Sequence, residues 1–220
     1  MDSLYIVGSS GHAKVVIDAI EMQRKYIIAG LLDDYRVVGQ ETMGYQVLGK
    51  IDLLTGLSTH GIINVFVAVG CNYIRQQIVD SIIECCVNVN FVTVVHPNAV
   101  VSSSAKIMSG TLILAGAIVG PDSTIGEHCI INHAALVDHD CVLAAFTSLA
   151  PKATLAGNVT VATRSAVGMA ACVIEKVVIG SDVVIGAGAT VLISIRSNSV
   201  AVGTPARVIK ERQFDDPYLS

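Results

Sequence analysis

Charged residues are scarce in this chain: Asp, Glu, Lys and Arg make up 15% of its 220 residues and leave a net charge of −4. With no basic surface, nothing draws the protein to a phosphate backbone, which excludes nucleic acid as an expected partner. Long apolar runs are also missing. Although 52% of the residues are hydrophobic, every window of about 20 residues is broken by Gly, Asn, Asp or Lys, so no membrane span is expected. The N-terminus shows no basic-then-apolar signal segment, because Asp2 is acidic and a glycine turn follows at Gly8. These absences read as a cytoplasmic protein. The six cysteines, Cys71, Cys85, Cys86, Cys129, Cys141 and Cys172, form no CxxC pair and lack the density of a secreted disulfide scaffold. They are expected to be reduced thiols, several serving as small core residues.

What is present divides in two. Residues 1–95 alternate apolar strand-like runs (LYIVG, IIAGLLDD, NVFVAVG) with helical segments (HAKVVIDAIEMQ, NYIRQQIVDSIIECC), which implies a Rossmann-like α/β domain with a small parallel sheet. Its first turn, GSSGHAK, is an incomplete dinucleotide fingerprint. Gly8 and Gly11 are in place, but Ser10 and Ala13 break G-x-G-x-x-G, which argues against a redox dinucleotide.

From residue 96 onward the periodicity changes to six. Val101, Ile107, Ile113, Val119, Ile125, Ile131, Val137, Leu143, Leu149, Leu155, Val161, Val167, Val173, Ile179, Ile185 and Val191 are all Val, Ile or Leu. If about a third of the chain is of these types, sixteen consecutive hits have a chance probability on the order of 10⁻⁸. Four residues after each aliphatic stands a small or β-branched residue, as at Ala105, Thr111, Ala117 and Ser123. Such hexads suit a narrow straight-sided solenoid, in which the aliphatic fills the axis and three hexads close one coil, giving about five coils. A β-sandwich would instead show period-two alternation.

The hexads, together with IGSDVVIGAGATV and the terminal VAVGTPARVIK, resemble the left-handed β-helix acyltransferases of the hexapeptide-repeat superfamily. GSSGHAK, LLDD, AVGCNYIR, INHAALVDHDCV and ATLAGNVTV narrow the resemblance to the sialic-acid O-acetyltransferase family, and within it to sugar N-acetyltransferases acting on a nucleotide-linked 4-amino-deoxysugar. The likeness runs from Leu4 to about Lys210. It implies a homotrimer with active sites between subunits, a nucleotide-sugar-binding domain over 1–95, and a left-handed parallel β-helix over 96–220 that binds acetyl-CoA and carries a C-terminal cap.

Forming an amide from a thioester needs a base for the attacking amine and a donor for the developing oxyanion. His133 and His139 lie six apart, on successive faces, and His139 is flanked by Asp138 and Asp140, either of which can orient an imidazole. The family motif matched by VDHDC implies His139 as base and Asp140 as its orienting carboxylate. By the same resemblance Asn132 lies near the sugar, Gly157 offers a backbone N–H to the thioester, the backbone around Ala187 meets the pantetheine arm, and Arg207 with Lys210 approaches the 3′-phosphate. Some relatives carry a second, donor-contacting histidine nine residues after the base. Here that position is Ser148, whose hydroxyl can still donate a hydrogen bond.

On the acceptor side the resemblance implies Gly8, Gly11, His12, Gly70 and Asn72. The segment beginning at His12 turns backbone N–H groups toward a diphosphate, and Asp33 or Asp34 accepts from the ribose or base. No metal is expected. Zinc catalysis needs three protein ligands, and beside His128 and His133 the third would have to come from an earlier coil, where His96, just before the first hexad, is the only histidine. The expected activity is acetyl transfer from acetyl-CoA to the 4-amino group of a UDP-linked amino-deoxysugar for bacterial surface glycan or glycoprotein synthesis. The alternatives are a GDP- or dTDP-linked acceptor, O-acetylation of a sialic-type sugar, and a non-catalytic trimeric partner of a sugar synthase.

Overall fold

The structure is a computed structural model that describes residues 1–217; the last three residues of the expected 96–220 segment lie outside the described residues. The N-terminal half contains β1 (Asp2–Val7), α1 (Gly11–Gln23), β2 (Tyr26–Leu32), β3 (Glu41–Thr42), β4 (Tyr45–Gly49), α2 (Leu53–Ser58), β5 (Ile63–Val67), α3 (Asn72–Cys85) and β6 (Val89–Phe91). These strands form one sheet in the order β3-β4-β2-β1-β5-β6, parallel except for the β3–β4 pair. The chain leaves β1 on one side toward β2 and returns on the other as β5. The carboxyl end of β1 is therefore a topological switch point, where the connecting loops part and leave a crevice.

The solenoid begins at Val94–Val95 and runs as three sheets, one per face of a prism, parallel throughout except for the last strand of the first, Arg207–Glu211, which is antiparallel. Up to Val184–Ile185 each strand of the first face pairs with the strand eighteen residues on: Ile113 faces Ile131, Ile131 faces Leu149, Leu149 faces Val167, and Val167 faces Ile185. One coil is thus three hexads, and the fold is the left-handed parallel β-helix. From Ile113 to Val191 every aliphatic of the hexad series is buried, and Val101 and Ile107 pack against the same core at its open end. The small residue four positions later points inward as well. Where it is Thr111 or Ser123, its hydroxyl donates to the carbonyl of Gly126 or Asp138 at 2.7 and 2.6 Å, so the buried oxygen is satisfied. Corners need a left-handed residue every six positions, and Asp122, His128, Ala134, Asp140, Phe146 and Lys152 take it at φ of 54–62°.

The two halves share a core. Outward-facing Val94, Leu112 and Ile130 on the first face (strands Val94–Val95, Leu112–Ile113, Ile130–Ile131, Ser148–Leu149, Ala166–Val167 and Val184–Ile185) are buried among Ala13, Val16, Ile17 and Ile20 of α1. Opposite them, α3 reaches the corner between the third and first faces. Arg75, 1% exposed, donates from Nε to the carbonyl of His128 at 2.9 Å, from one terminal nitrogen to Val69 and Gly70, and from the other to Asn72 Oδ1 at 2.6 Å and Phe146. A guanidinium fully taken up by oxygen acceptors is well accommodated in the interior, and it locks the domain to the helix. No helix of the described residues is long and apolar enough to cross a membrane. The six cysteines are free thiols, with Cys86, Cys129 and Cys141 buried.

Candidate active site

His139 sits on the corner between the second face (strands Val100–Val101 to Thr190–Val191) and the third (Lys106–Ile107 to Val178–Ile179). Its Nδ1 lies 2.8 Å from Asp140 Oδ2, and its backbone N–H donates to Asp138 Oδ1 at 2.8 Å. The two acids therefore divide the work that the sequence left open between them: Asp140 orients the ring and Asp138 fixes the backbone. The bond to Asp140 holds the imidazole above its ordinary pKa, reinforced by the negative charges of Asp138, Asp140 and Glu175. With Nδ1 tied to a carboxylate, Nε2 is the nitrogen left to act.

Gly157 lies one coil above. A Cβ built there would fall 2.5 Å from both Cε1 and Nε2 of His139, so the residue is glycine because the ring occupies the space a side chain would need. Its carbonyl accepts from Lys176, while its N–H donates to no described residue. A free N–H beside the reactive edge of an imidazole has the makings of an oxyanion donor.

The acceptor-side residues collect around two cavities that meet at the start of α1. The first, about 530 Å³, is lined by Gly8, Ser9, Ser10, Asp33, Asp34, Tyr35, Arg36 and Gln77 over an apolar floor of Val7, Leu32, Ile51, Val69 and Ile78. It opens at the switch point beyond β1. Gly8 has φ 101° and a Cβ there would meet the Ala68 carbonyl at 2.9 Å, so this position requires glycine on both counts. Asp33 Oδ2 accepts from the N–H and hydroxyl of Ser9 at 3.0 and 2.6 Å, and Oδ1 from the N–H of Tyr35. Asp34 Oδ1 accepts from the N–H of Ile51 at 3.0 Å. Both carboxylates brace the loops of the crevice while lining it.

The second cavity, about 760 Å³, lies between α1 and the first face of the β-helix. Gly11, His12, Gly70, Asn132, His133, Ser148, Gly186 and Ala187 line it. Gly8 to Ser10 face one cavity and Gly11 and His12 the other, so the N-terminus of α1 stands at their junction. Its N-cap, Ser10, makes no side-chain capping bond, which leaves first-turn N–H groups able to receive an anion. Beyond its chain neighbours and its own helix backbone, no described residue lies within 4 Å of where a Cβ on Gly11 would be. Burial, and then the charge of Arg75, push His12 down to about 4, so it is a neutral imidazole, and its Nε2 is buried with no hydrogen-bond partner among the described residues.

Asn72 lies beneath this cavity, fully buried, and its amide donates to Ser148 Oγ at 3.2 Å and to the carbonyls of Arg164 and Ser165. It holds Ser148 from below. Arg207 sits on the terminal antiparallel strand Arg207–Glu211, donating to the carbonyl of Ala206, and lines neither cavity. His128, six residues before Ala134 and one corner away from His133, stacks on Phe146 at 5.1 Å and packs edge-on against Phe91. It is a core histidine, and the two do not converge. No cluster of three or more His, Cys, Asp or Glu placed to hold a metal occurs among the described residues.

Sequence reasoning passed over Arg75 and Ser9. Arg75 was legible in principle, since Arg75, Val79 and Ile82 form a helical stripe and all three are buried. Ser9 carried no such signal, because its partner Asp33 is twenty-four residues away.

The fold and site define a β-helix acyltransferase joined to a nucleotide-type α/β domain. Residues 3–82 match the family model of the PglD N-terminal domain. A histidine-to-alanine variant of GDP-perosamine N-acetyltransferase from Caulobacter crescentus, solved with CoA and GDP-perosamine, is 34% identical, with 96% of this chain and 98% of that chain covered and a TM-score of 0.90. The acetyltransferase domain of PglB from Neisseria gonorrhoeae, in complex with acetyl coenzyme A, is 35% identical, with 94% and 98% covered and a TM-score of 0.86. WeeI from Acinetobacter baumannii shares the fold at a TM-score of 0.84, with 24% identity and coverage of 95% and 100%. Comparison with curated proteins gives no significant match. The chain belongs to the hexapeptide-repeat nucleotide-sugar N-acetyltransferases.

Proposed function

We propose that the protein transfers acetyl from acetyl-CoA to the 4-amino group of a nucleotide-diphosphate-linked amino-deoxysugar, with His139 as general base. The carrying observation is the His139–Asp140 pair lying under Gly157, which combines an oriented imidazole with a free N–H. Nε2 takes a proton as the amine nitrogen attacks the thioester carbon, Gly157 N–H holds the oxyanion, and the same proton is passed to the departing thiolate of CoA. The nucleoside occupies the first cavity, the diphosphate sits on the N-terminus of α1, and the amino sugar extends into the second cavity toward Asn132.

On this reading the site is shared. His139 stands on the corner between the second and third faces, whereas Asn132 and Ser148 line a cavity on the first face of the same chain. The second face between them presents exposed Val100 and Ile118 with half-buried Leu136. Packing three copies around that apolar face brings the His139 corner of each beside the Asn132 cavity of the next. This supports a homotrimer with its active sites between subunits.

A UDP-linked acceptor is one form of the proposal. A GDP-linked acceptor is the other, and the GDP-perosamine complex of the Caulobacter relative favours it. In either case Asp34 supplies a carboxylate for the N–H edge of the base. Assaying acetyl transfer to UDP-, GDP- and dTDP-linked 4-amino sugars, with mass spectrometry locating the new acetyl group, selects among them. His139→Ala is expected to lower turnover by about 10²-fold or more. Near-normal turnover in that variant would remove His139 as the base, and O-acetylated product would replace the N-transfer reading. Failure to bind either CoA or nucleotide sugar would favour a non-catalytic partner role.

A further inference from the structure

One face of α3 runs on past the first cavity. Ile74, Gln77 and Ile78 line that cavity, and Gln77, Ile78, Ser81 and Cys85 follow at helical spacing into a third one of about 510 Å³. The two cavities share Asp34, Ile51, Gln77 and Ile78, so they adjoin. At the far end of the stripe stands a pair of thiols, Cys85 and Cys86, that acetyl transfer does not use.

Side chains of consecutive residues diverge within a regular helix or strand. Here Cys85 ends α3 and Cys86 turns to extended backbone, with φ −108° and ψ 129°, and the two sulfurs come to 3.7 Å from one another. The turn is held from two sides. The Cys86 N–H donates to the Ile82 carbonyl at 2.9 Å, and the Val87 N–H donates to Ser58 Oγ of α2 at 3.3 Å. Cys85 is exposed and Cys86 is 8% exposed, so the pair is approached from the Cys85 side. Burial, and then Cys85, raise the Cys86 thiol above its ordinary pKa, which keeps it as S–H at neutral pH. Among the described residues no other sulfur lies against a second one, and Cys129 and Cys141 give their thiols to the carbonyls of Ala144 and Ala156 inside the solenoid.

Two sulfurs this close can bond to each other or to one atom between them. A disulfide would have to draw them together to about 2.05 Å, inside a small ring that includes the peptide bond joining the two residues. A single soft atom bonded to both asks for far less movement. Metals that take three or four protein ligands are not served, because no cluster of three or more His, Cys, Asp or Glu placed to hold a metal occurs among the described residues. We infer that Cys85 and Cys86 form a dithiol site for a monosubstituted trivalent arsenical, held by both sulfurs with its organic substituent in the third cavity, and that its occupancy hinders nucleotide binding in the first. The second clause rests on the nucleoside placement proposed above. The chemistry balances with no redox step. Cys85 exchanges one As–OH for an As–S bond, and its S–H proton leaves with the hydroxide as water. Cys86, already beside the arsenic, exchanges the second As–OH in the same way, as an intramolecular step. The arsenic stays trivalent, two S–H bonds are lost and two waters are released.

The test treats wild type, Cys85→Ser and Cys172→Ser with phenylarsine oxide and reads the intact mass and the free-thiol titre. Wild type and Cys172→Ser should each gain one phenylarsenic group and lose two titratable thiols, and the adduct should survive excess 2-mercaptoethanol but be stripped by 2,3-dimercaptopropanol. Cys85→Ser, changed at an exposed position, should form no adduct that survives the monothiol. Cys86→Ser should behave alike, and Cys85→Ser keeps the test decisive if the buried substitution unfolds the chain. Absence of a monothiol-resistant adduct in wild type, or its persistence in Cys85→Ser, would overturn the site. Calorimetry then compares free and loaded wild type: affinity for UDP and GDP should fall by about 10-fold or more while that for acetyl-CoA is unchanged. Equal nucleotide affinity in both forms would overturn the hindrance. Free protein that binds neither nucleotide would refute the nucleoside placement, and the mass measurement would still decide the dithiol site.

Discussion

Replacing Gly157 by Ala separates catalysis from stability at a single methyl group. The backbone of Gly157 lies outside the left-handed region, so alanine fits it without strain. The added Cβ would lie 2.5 Å from Cε1 and Nε2 of His139 and 3.1 Å from Nδ1, where contacts between such atoms normally begin near 3.5 Å. The ring must therefore move by about 1 Å. It is free to do so, because the His139 side chain is 46% exposed and only its Nδ1 bond to Asp140 ties it down. A displacement of that size at a reacting centre costs about 10²-fold in rate. The fold loses nothing buried, and exchanging Gly for Ala at a compatible φ adds about 0.4–1 kcal/mol by restricting the unfolded chain. Steady-state kinetics on Gly157→Ala should show kcat lowered by about 10²-fold, while thermal unfolding shows Tm unchanged or slightly raised. A variant with kcat within about twofold of wild type would refute the placement of His139 at the reacting centre. A large fall in Tm would refute the reasoning on where the clash is absorbed.

Asp140→Asn should lower kcat and move the acid limb of kcat/KM to lower pH, because the Asp140 bond is the largest influence raising His139 and the base works in its neutral form. A pH–rate profile checks this, and an unmoved limb would count against the pairing. Stability should fall in acid for a different reason: burial, then Arg75, push both His12 and His128 from 6.5 to about 4 in the folded protein. A folded-state value below the unfolded one contributes stability that is complete above the unfolded pKa and is lost as pH falls from about 6.5 toward 4, on the order of 3 kcal/mol for each histidine. Urea unfolding at pH 7 and pH 4.5 measures the loss. His128→Phe, which keeps an aromatic ring between Phe91 and Phe146, should make the dependence shallower, and an unchanged slope would remove His128 as a contributor.

The solenoid was readable residue by residue because its contacts repeat. Ile131 meets Ile113 and Leu149 for the same reason that Leu149 meets Val167, so one hexad placed correctly places all of them. The α/β half was readable from alternation and turns, and Gly8 from the demands of its turn. Most candidate residues reach a cavity or the His139 corner, but their grouping had no counterpart along the chain. His133 and His139 look alike in the sequence, six apart and each beside a polar residue, yet they occupy different corners of the prism, one in a cavity with Ser148 and the other under Gly157.

Asn72 marks the boundary between the two kinds of information. Its place in AVGCNYIR reads as the first residue of a helix after a strand, at a nucleotide-sugar site. Three acceptors 76, 92 and 93 residues away turn it inward to hold Ser148 and the neighbouring coil. The sequence by itself determined the repeat, the core positions, the switch-point loop and the histidine beside its acid, because each depends on neighbours within a few residues or on a fixed period. Only the tertiary structure decided that Arg75 locks the domains together, that two cavities meet at the start of α1, and that His139 stands apart from Asn132 and Ser148. Those arrangements depend on contacts between segments far apart in the chain, and packing chooses them without leaving a period in the sequence to read.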